Sequence, residues 1–166
     1  FWASLDGFLY PLIMHSLFFL LFFTLISSVY CQSNIPFETI ILTNGKYRYK
    51  TDQTLVNGKV EQNIGEEYPR NYRILFSVEG GLLEGSYSYY YGNGQLSQVE
   101  FYKKGKRVGP RKRWWMNGNK MQEWTSHKTT FWYKSGQMRE QSIFGKFGNL
   151  QSRKCWNRMG EPIDCD

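Results

Sequence analysis

Helical periodicity, histidine and proline are all scarce in this 166-residue chain. After residue 34 almost no segment spaces its apolar residues as an amphipathic helix requires, which argues against a helical fold. The domain has one histidine, His127, in the polar stretch "TSHKTT". Because no nucleophile or orienting carboxylate is tied to it by spacing, we expect no enzyme. The minor alternative is an enzyme that cleaves cell-wall glycans with a catalytic carboxylate such as Glu100 or Glu123.

Clusters of metal-binding and phosphate-binding residues are missing as well. No group of Cys, His, Asp and Glu has the spacing of a zinc site, which needs three or four ligands. The glycines at Gly80-Gly81 and Gly92 to Gly94 do not open a helix, so they do not form a phosphate-binding loop. We therefore predict that the protein uses no cofactor.

The longest apolar run lies near the start of the chain, in "MHSLFFLLFFTLISSVYCQS". An apolar core followed by small and polar residues is typical of a secretory signal peptide. We predict a cleaved signal peptide at 14–33, preceded by an upstream extension at 1–13. The alternatives are an uncleaved membrane anchor, helical if retained, and a lipid-modified Cys31. Each places 34–166 outside the cytoplasm, in the periplasm, in the cell envelope or secreted.

Cysteine is rare, with three residues in the whole chain. Removal of Cys31 with the signal peptide leaves Cys155 and Cys165. An even pair, ten residues apart in an exported chain, predicts one disulfide across the last hairpin. Two free thiols are the alternative.

Alternating aromatic residues and Asn-Gly pairs are abundant. The alternation in "SYSYYY" and "KYRYK" is typical of β-strands. Asn-Gly pairs begin at Asn44, Asn57, Asn93 and Asn117. Both central residues of a type I′ turn need positive φ, which Asn and Gly tolerate best, so each pair predicts a tight hairpin.

A repeat is visible in the glycines Gly94, Gly118, Gly136 and Gly160, which are spaced by 24, 18 and 24 residues. The unit is two strands and two turns, and the middle unit has one shortened connection. The predicted repeat turns contain Asn93, Gly94, Asn117, Gly118, Ser135, Gly136 and Gly160. The predicted repeat aromatics, expected to form one ladder, are Tyr89, Tyr91, Trp115, Trp132, Tyr133 and Trp156.

The pattern in 90–118, an aromatic pair before Asn-Gly-x-Leu and then "KKGKRVG", resembles the variant MORN repeat (membrane occupation and recognition nexus). That repeat occurs in bacterial proteins often labelled toxin–antitoxin system antitoxins. The resemblance covers 86–166, with a C-terminal disulfide hairpin like that of exported members. It implies an all-β fold, an elongated antiparallel β-meander of hairpin repeats. Residues 34–85 form an N-terminal β region with a degenerate repeat or none.

A basic run of seven cations in eleven residues is the candidate anion-binding patch. Its members are Lys103, Lys104, Lys106, Arg107, Arg111, Lys112 and Arg113. Such a run attracts polyanions, and neighbouring tryptophans add a surface for sugar rings. The alternative is a solvated hairpin turn with no ligand.

Together these features predict an exported, non-enzymatic binding or scaffold protein of the bacterial cell envelope. Its partner would be an unidentified protein, or an envelope polyanion or glycan. The family label implies an alternative, an antitoxin or immunity protein that neutralises a partner toxin by direct binding. The export signal disfavours nucleic acid, and membrane contact would occur through the N-terminal segment.

Overall fold

The computed structural model describes residues 33–65 and 72–165, and almost all of its regular structure is β-strand. The upstream extension at 1–13 and nearly all of the predicted signal segment lie outside the described residues. Within the described ranges the helical structure is a single 3₁₀ turn at Phe37–Thr39. No helix there is long and apolar enough to cross a membrane.

The prediction of an all-β hairpin meander is confirmed. The strands are β1 Ile35–Pro36, β2 Ile40–Thr43, β3 Lys46–Tyr49, β4 Gly58–Ile64, β5 Tyr72–Glu79, β6 Leu82–Tyr91, β7 Leu96–Lys103, β8 Lys106–Trp114, β9 Lys120–Trp124, β10 Lys128–Trp132, β11 Met138–Phe144, β12 Leu150–Trp156 and β13 Pro162–Ile163. The boundary expected between residues 85 and 86 lies inside β6, so the N-terminal region and the repeats share a strand.

Eleven of these strands form one sheet, in the order β1-β4-β5-β6-β7-β8-β9-β10-β11-β12-β13. From β4 onward each strand pairs antiparallel with the next one in the chain. At the β4 end, β1 joins in parallel, with Ile35 opposite Val60. The sheet is therefore mixed, whereas the sequence pattern predicted only antiparallel pairing.

Strands β2 and β3 form a separate two-stranded hairpin. Its turn residues Asn44 and Gly45 have φ of 52° and 73°, which confirms the type I′ turn predicted there. The hairpin covers one face of the sheet across β4, β5 and β6. The buried cluster between the two layers consists of Ile40, Val56, Val60, Ile74, Phe76 and Val78. This is the one apolar core among the described residues.

We call the sheet face that carries Phe76 and Tyr87 the covered face, and the other side the open face. Strand pairing extends the covered face beyond the hairpin: Tyr89 lies opposite Gln98, and Gln98 lies opposite Arg113. Directly paired residues share a face because side chains alternate along each strand. The same alternation places Lys112 and Glu123 on the open face.

Beyond β7 the buried side chains are polar. Gln122, Thr130 and Ser142 are each less than a tenth exposed. Strand pairing places each of them between larger neighbours on the adjoining strands, as Thr130 lies between Glu123 and Gln141. In the described chain no second layer of strands packs against β8 to β13. This part of the sheet is held by strand pairing and lateral side-chain packing.

Candidate binding cleft and repeat edge

The Asn-Gly pairs of the repeats do not form type I′ turns, and that prediction is wrong. In the turn that starts at Tyr91, Gly94 N–H donates to Tyr91 C=O at 2.8 Å and Tyr91 N–H donates to Gln95 C=O at 2.9 Å. Gly94 has φ of 83°, while Asn93 has negative φ. These features define a type I turn followed by a glycine bulge. The turns that start at Trp115, Tyr133 and Asn157 repeat this geometry.

Type I′ turns occur instead at the other ends of the strands, between β5 and β6 and between β7 and β8. There Gly80-Gly81 and Lys104-Gly105 both have positive φ at the two central positions. The fourth Asn-Gly pair, Asn57-Gly58, forms no hairpin, since it leads from the β3 region into β4. Asn57 Oδ1 instead accepts a hydrogen bond from Gly80 N–H at 2.6 Å. Asn-Gly therefore has three different conformations in this chain.

In three of these turns, the first residue binds the next unit. Tyr91 Oη donates to the carbonyl of Trp114 at 2.8 Å, and Tyr133 Oη donates to that of Trp156 at 2.9 Å. Trp115 Nε1 makes the equivalent bond to Trp132 C=O at 3.3 Å. Each bond joins a turn to the residue just before the next turn. The repeats are thus connected along this edge by a chain of side-chain to backbone hydrogen bonds.

The predicted repeat aromatics form two columns rather than one ladder. Tyr91, Trp115 and Tyr133 occupy the first turn position, where Asn157 ends the series. Trp132 and Trp156 occupy the position before it, together with Tyr90 and Trp114. Tyr89 belongs to neither column and packs on the N-terminal core. The single predicted ladder is therefore wrong, because the two columns occupy neighbouring positions in the chain and side chains alternate between the faces of the sheet.

The repeat glycines are in contact with the preceding turn. A Cβ atom built on Gly118 would lie 3.3 Å from Gln95 Oε1, and one on Gly136 would lie 3.5 Å from the Asn119 side chain. Amide side chains of one turn therefore cover the glycine of the next. The position needs glycine for its positive φ. A Cβ on Gly118 would in addition require a small shift of the Gln95 side chain, whereas one on Gly136 would make an ordinary contact with Asn119.

Cys155 and Cys165 form a disulfide with a Cα–Cα distance of 5.5 Å. Cys155 lies in β12, and its strand partner across the last hairpin is Ile163 of β13. The bond therefore fastens the two-residue strand β13 to the end of the sheet.

The seven cations of the basic run do not form one patch. Lys103, Lys104, Lys106 and Arg107 are exposed in the β7–β8 hairpin. Strand alternation then places Arg111 and Arg113 on the covered face and Lys112 on the open face. Lys112 Nζ lies 3.4 Å from Glu123 Oε1, so its charge is partly compensated. The excess charge of this segment is divided between two faces and offset by carboxylates on neighbouring strands.

A β-bulge in β8 brings Arg111 into a cleft. Val99 pairs with Lys112 and Phe101 pairs with Val108, so three residues of β8 stand opposite Glu100. Gly109, with φ of 70°, and Pro110 form the bulge. Bulges re-aim side chains and end regular pairing. The sequence signal for this bulge is the dipeptide Gly109-Pro110, because glycine adopts positive φ and proline cannot donate a strand hydrogen bond.

The cleft is open, has a volume of about 700 Å³ and lies beside this bulge. Its lining combines cations, one indole and hydroxyl groups. The lining residues are Arg107, Gly109, Pro110, Arg111, Trp124, Thr125 and Ser126. Two of the seven predicted cations line this cleft. Trp124, Thr125 and Ser126 were not recognised as site residues because they come from β9 and the turn after it.

Arg111 is held in place by three neighbours. Its Nη2 donates to Gln98 Oε1 at 2.9 Å, and its guanidinium carbon lies 5.1 Å from the centre of the Trp124 ring. Its Nε lies 2.9 Å from Glu100 Oε1 but is buried with no acceptor along its N–H bond. The contact with Glu100 is thus an ion pair without hydrogen-bond alignment. These contacts set the direction of the Arg111 guanidinium group.

Glu100 is the acidic centre of this network, and its side chain is 12% exposed. Its two carboxylate oxygens accept hydrogen bonds from Gln98 Nε2 at 3.0 Å and Tyr102 Oη at 2.8 Å. Burial, and then the bond to Glu100, raise the pKa of Tyr102 to about 12. Tyr102 therefore stays a neutral donor at physiological pH. The carboxylate is occupied by internal partners.

The wall formed by Trp124 continues into further aromatic contacts. The rings of Trp124 and Phe131 meet edge-on with centroids 6.4 Å apart, and Arg139 lies over Phe131 at 5.1 Å. His127 follows Ser126 in the exposed turn, and its Nδ1 lies 3.0 Å from Ser126 Oγ. This Ser-His contact has no carboxylate partner among the described residues. On the covered face, Arg111 and Arg139 thus flank the rings of Trp124 and Phe131.

Within 33–65 and 72–165 no three His, Cys, Asp or Glu side chains converge as metal ligands. Comparison with protein-family models, curated proteins and solved structures found no match to this chain.

Proposed function

We propose that the chain is a non-enzymatic binding protein of the bacterial cell envelope, exported by its N-terminal segment, and that its ligand is an acidic polysaccharide. The observation that carries the proposal is the Arg107–Arg111–Trp124 cleft. An indole offers a flat apolar surface to a sugar ring, and guanidinium groups recognise carboxylates by paired hydrogen bonds. Thr125 and Ser126 add hydroxyl groups at the rim.

The division of the basic run favours a discrete acidic sugar over an extended polyanion. A polyanion binder gains affinity from many uncompensated cations along one surface. Here Lys112 and Arg111 each face a carboxylate, at 3.4 Å and 2.9 Å. The uncompensated charge in the cleft belongs to Arg107. It lies beside the guanidinium group of Arg111 and the ring of Trp124. Such an arrangement supports recognition of one charged ring at a time.

The architecture supports a binding role over catalysis. Glu100, a carboxylate that a glycan-cleaving enzyme would need, already binds Gln98 and Tyr102 and pairs with Arg111. Glu123, the other candidate, pairs with Lys112 on the opposite face. The two carboxylates therefore do not share a site. We also propose that the repeats belong with the variant MORN pattern, supported by the recurring turn geometry of the edge.

The proposal is tested by titrating the purified protein with polygalacturonate, neutral dextran and polyphosphate while recording tryptophan fluorescence. We expect polygalacturonate to quench the fluorescence and dextran to have no effect. Arg107→Ser should weaken polygalacturonate binding by roughly 10- to 100-fold, since a charge-assisted hydrogen bond contributes roughly 1.5–3 kcal/mol. Trp124→Leu should remove most of the quenching.

The matched control is Lys106→Ser, which removes the same charge from the same exposed hairpin but lies outside the cleft lining. Equal losses of polygalacturonate affinity in Arg107→Ser and Lys106→Ser would show that attraction is diffuse, and would overturn the proposal that the cleft is the binding site. If polyphosphate and polygalacturonate bind equally well, and Trp124→Leu weakens neither, the ligand is any polyanion and the proposal of an acidic glycan is wrong. Absence of binding to any of the polymers would overturn the proposal as a whole.

A further inference from the structure

A shallow pocket of about 170 Å³ lies on the open face of the sheet, on the side away from the β2–β3 hairpin. Strands β4, β5 and β6 form it, and its side chains come from positions that alternate with those of the buried core. Three serines from two adjacent strands line it, together with one lysine. These residues are Ser77, Ser86, Ser88 and Lys59. The pocket therefore combines hydroxyl groups with a cation.

Strand pairing brings these groups together. Lys59 lies directly opposite Ser77 across β4 and β5, and Ser88 lies opposite Leu75 across β5 and β6. Directly opposed side chains have Cβ atoms about 4.5–5.5 Å apart. Ser77 and Leu75 are two residues apart and share a face of β5, so the two pairs lie side by side. The lysine and the serines therefore lie around the side chain of Leu75, which also lines the pocket.

A β-bulge between β5 and β6 adds a further hydroxyl group. The strand register shifts between Phe76 and Val78, where three residues of β6 stand opposite Ser77. Within this bulge Gly85 has φ of 79°. Bulges redirect side chains, and here Ser86 joins the lining of the pocket.

Ser88 gives the clearest sign of a ligand in this pocket. The residue is 7% exposed, yet its hydroxyl makes no hydrogen bond to any described residue. Buried polar groups are nearly always paired, because an unpaired one is unfavourable. Ser142, which is 5% exposed, follows that rule and donates to Glu140 Oε1 at 3.2 Å. A ligand that accepts a hydrogen bond from Ser88 would supply the missing partner.

The charges around the pocket favour an anion. Lys59 is exposed and has no ion pair or hydrogen bond within the described part of the chain. Arg73 adds a second cation, since its guanidinium carbon lies 4.9 Å from the ring centre of Tyr90, another lining residue. Glu61, on the same face of β4, accepts a hydrogen bond from Asn34 Nδ2 at 2.6 Å and does not line the pocket. None of the described lining residues is acidic.

We propose that this pocket binds the phosphate group of a phosphate monoester. Such a group has three terminal oxygens, which are strong hydrogen-bond acceptors, and a charge of about −1.5 to −2 near pH 7. The three serine hydroxyls supply one donor each, and Lys59 supplies further donors and a charge. A carboxylate has two oxygens and a single charge, so it matches these donors less well. The pocket is on the opposite face of the sheet from the cleft proposed above to bind sugar, and is a second site.

Titration of the isotope-labelled protein with methyl phosphate, followed by the NMR shifts of its backbone amides, tests the site. We expect saturable shifts around the pocket in β5 and β6, and none around the cleft in β8 and β9. Methyl sulfate, with three oxygens but one charge, and acetate, with two oxygens, should each bind about tenfold more weakly. Equal binding of methyl sulfate would overturn the assignment to a phosphate group.

The decisive variant is Ser88→Ala, which removes the buried hydroxyl. Because that hydroxyl has no internal partner, thermal unfolding without ligand should occur at the same or a higher temperature than in the parent protein. Affinity for methyl phosphate should nevertheless fall about tenfold. A lower unfolding temperature with unchanged affinity would show that the hydroxyl has a structural role, and would overturn the proposal.

Lys59→Gln should weaken binding of methyl phosphate to a similar extent. The matched control is Lys154→Gln, because Lys154 is exposed on the same face, at the β12 end of the row of paired residues that contains Ser88. Equal effects of the two substitutions would show nonspecific attraction and overturn the pocket, as would the absence of any shift with methyl phosphate.

A phosphate monoester occurs both in soluble molecules and in the headgroup of phosphatidic acid. Sedimentation with vesicles that contain this lipid tells the two sources apart. Sedimentation that Lys59→Gln abolishes assigns the pocket to the lipid, and binding of methyl phosphate without sedimentation assigns it to a soluble ester. These experiments contain no polysaccharide, so their outcome is separate from that of the sugar-binding proposal.

Discussion

The hydroxyl of Tyr133 donates a hydrogen bond to the carbonyl oxygen of Trp156, 23 residues further along the chain, at 2.9 Å. The same relationship joins Tyr91 to Trp114 over the same separation. Both bonds are partly buried, and both connect the start of one turn to the strand end of the next unit. The aromatic residue of this repeat therefore acts through its polar atom as well as through its ring.

Removing that polar atom should destabilise the sheet. We expect Tyr133→Phe to lower the free energy of unfolding by about 1 kcal/mol, because the carbonyl of Trp156 loses its side-chain donor. Urea denaturation measures the change. Tyr90→Phe is the matched control, since its hydroxyl has no hydrogen-bond partner in the described chain while its ring keeps the cation contact with Arg73. Equal effects of the two substitutions would contradict this role.

The close contact at the repeat glycines predicts a graded effect of alanine. Gly94 and Gly118 have φ of 83° and 86°, but a Cβ on Gly94 meets nothing within 4 Å, whereas one on Gly118 meets Gln95. Gly94→Ala should cost about 1–2 kcal/mol from backbone strain alone. Gly118→Ala should cost more, and Gln95→Ala should remove the difference in a double-mutant cycle. If both alanines cost the same in the parent protein, the contact is unimportant.

The pair Glu140–Arg153 makes stability depend on acidity. A hydrogen bond from Arg153 holds the pKa of Glu140 below its usual value, against the opposing effect of burial. Because the folded pKa is the lower one, the stabilisation is present above the unfolded pKa and is lost as pH falls through the folded pKa. Glu140→Gln should therefore flatten the fall in Tm below about pH 4.5. A parallel fall in both proteins would contradict the assignment.

The disulfide fastens the last short strand, and its removal should act locally. Replacing Cys155 and Cys165 together by Ser should destabilise the terminal hairpin by about 2–3 kcal/mol, the value for closing a loop of this size. Hydrogen exchange should accelerate in β12 and β13 and remain unchanged in β4 to β6. Uniform acceleration across the sheet would show that the bond supports the whole domain.

The hairpins and their period were predictable because turn positions with positive φ require glycine, so glycines recur in the sequence at regular spacing. The turn class was not, because Asn-Gly suits both a type I′ turn and a type I turn with a glycine bulge. The pairing of Arg111 with Glu100 depends on a bulge around Pro110, which shifts the register by two residues. The layer formed by β2 and β3 was missed since no local pattern tells a strand what it packs against.

The confinement of the apolar core to β2 through β6 has a consequence for the order of assembly. Every strand after β6 pairs with its immediate predecessor in the chain, so each new hairpin needs only the one before it as a template. Contacts of such short sequence separation form quickly. The layered N-terminal part can therefore fold first. The strands from β7 to β13 can then pair one after another, each with the strand before it, in the order in which the chain is synthesised.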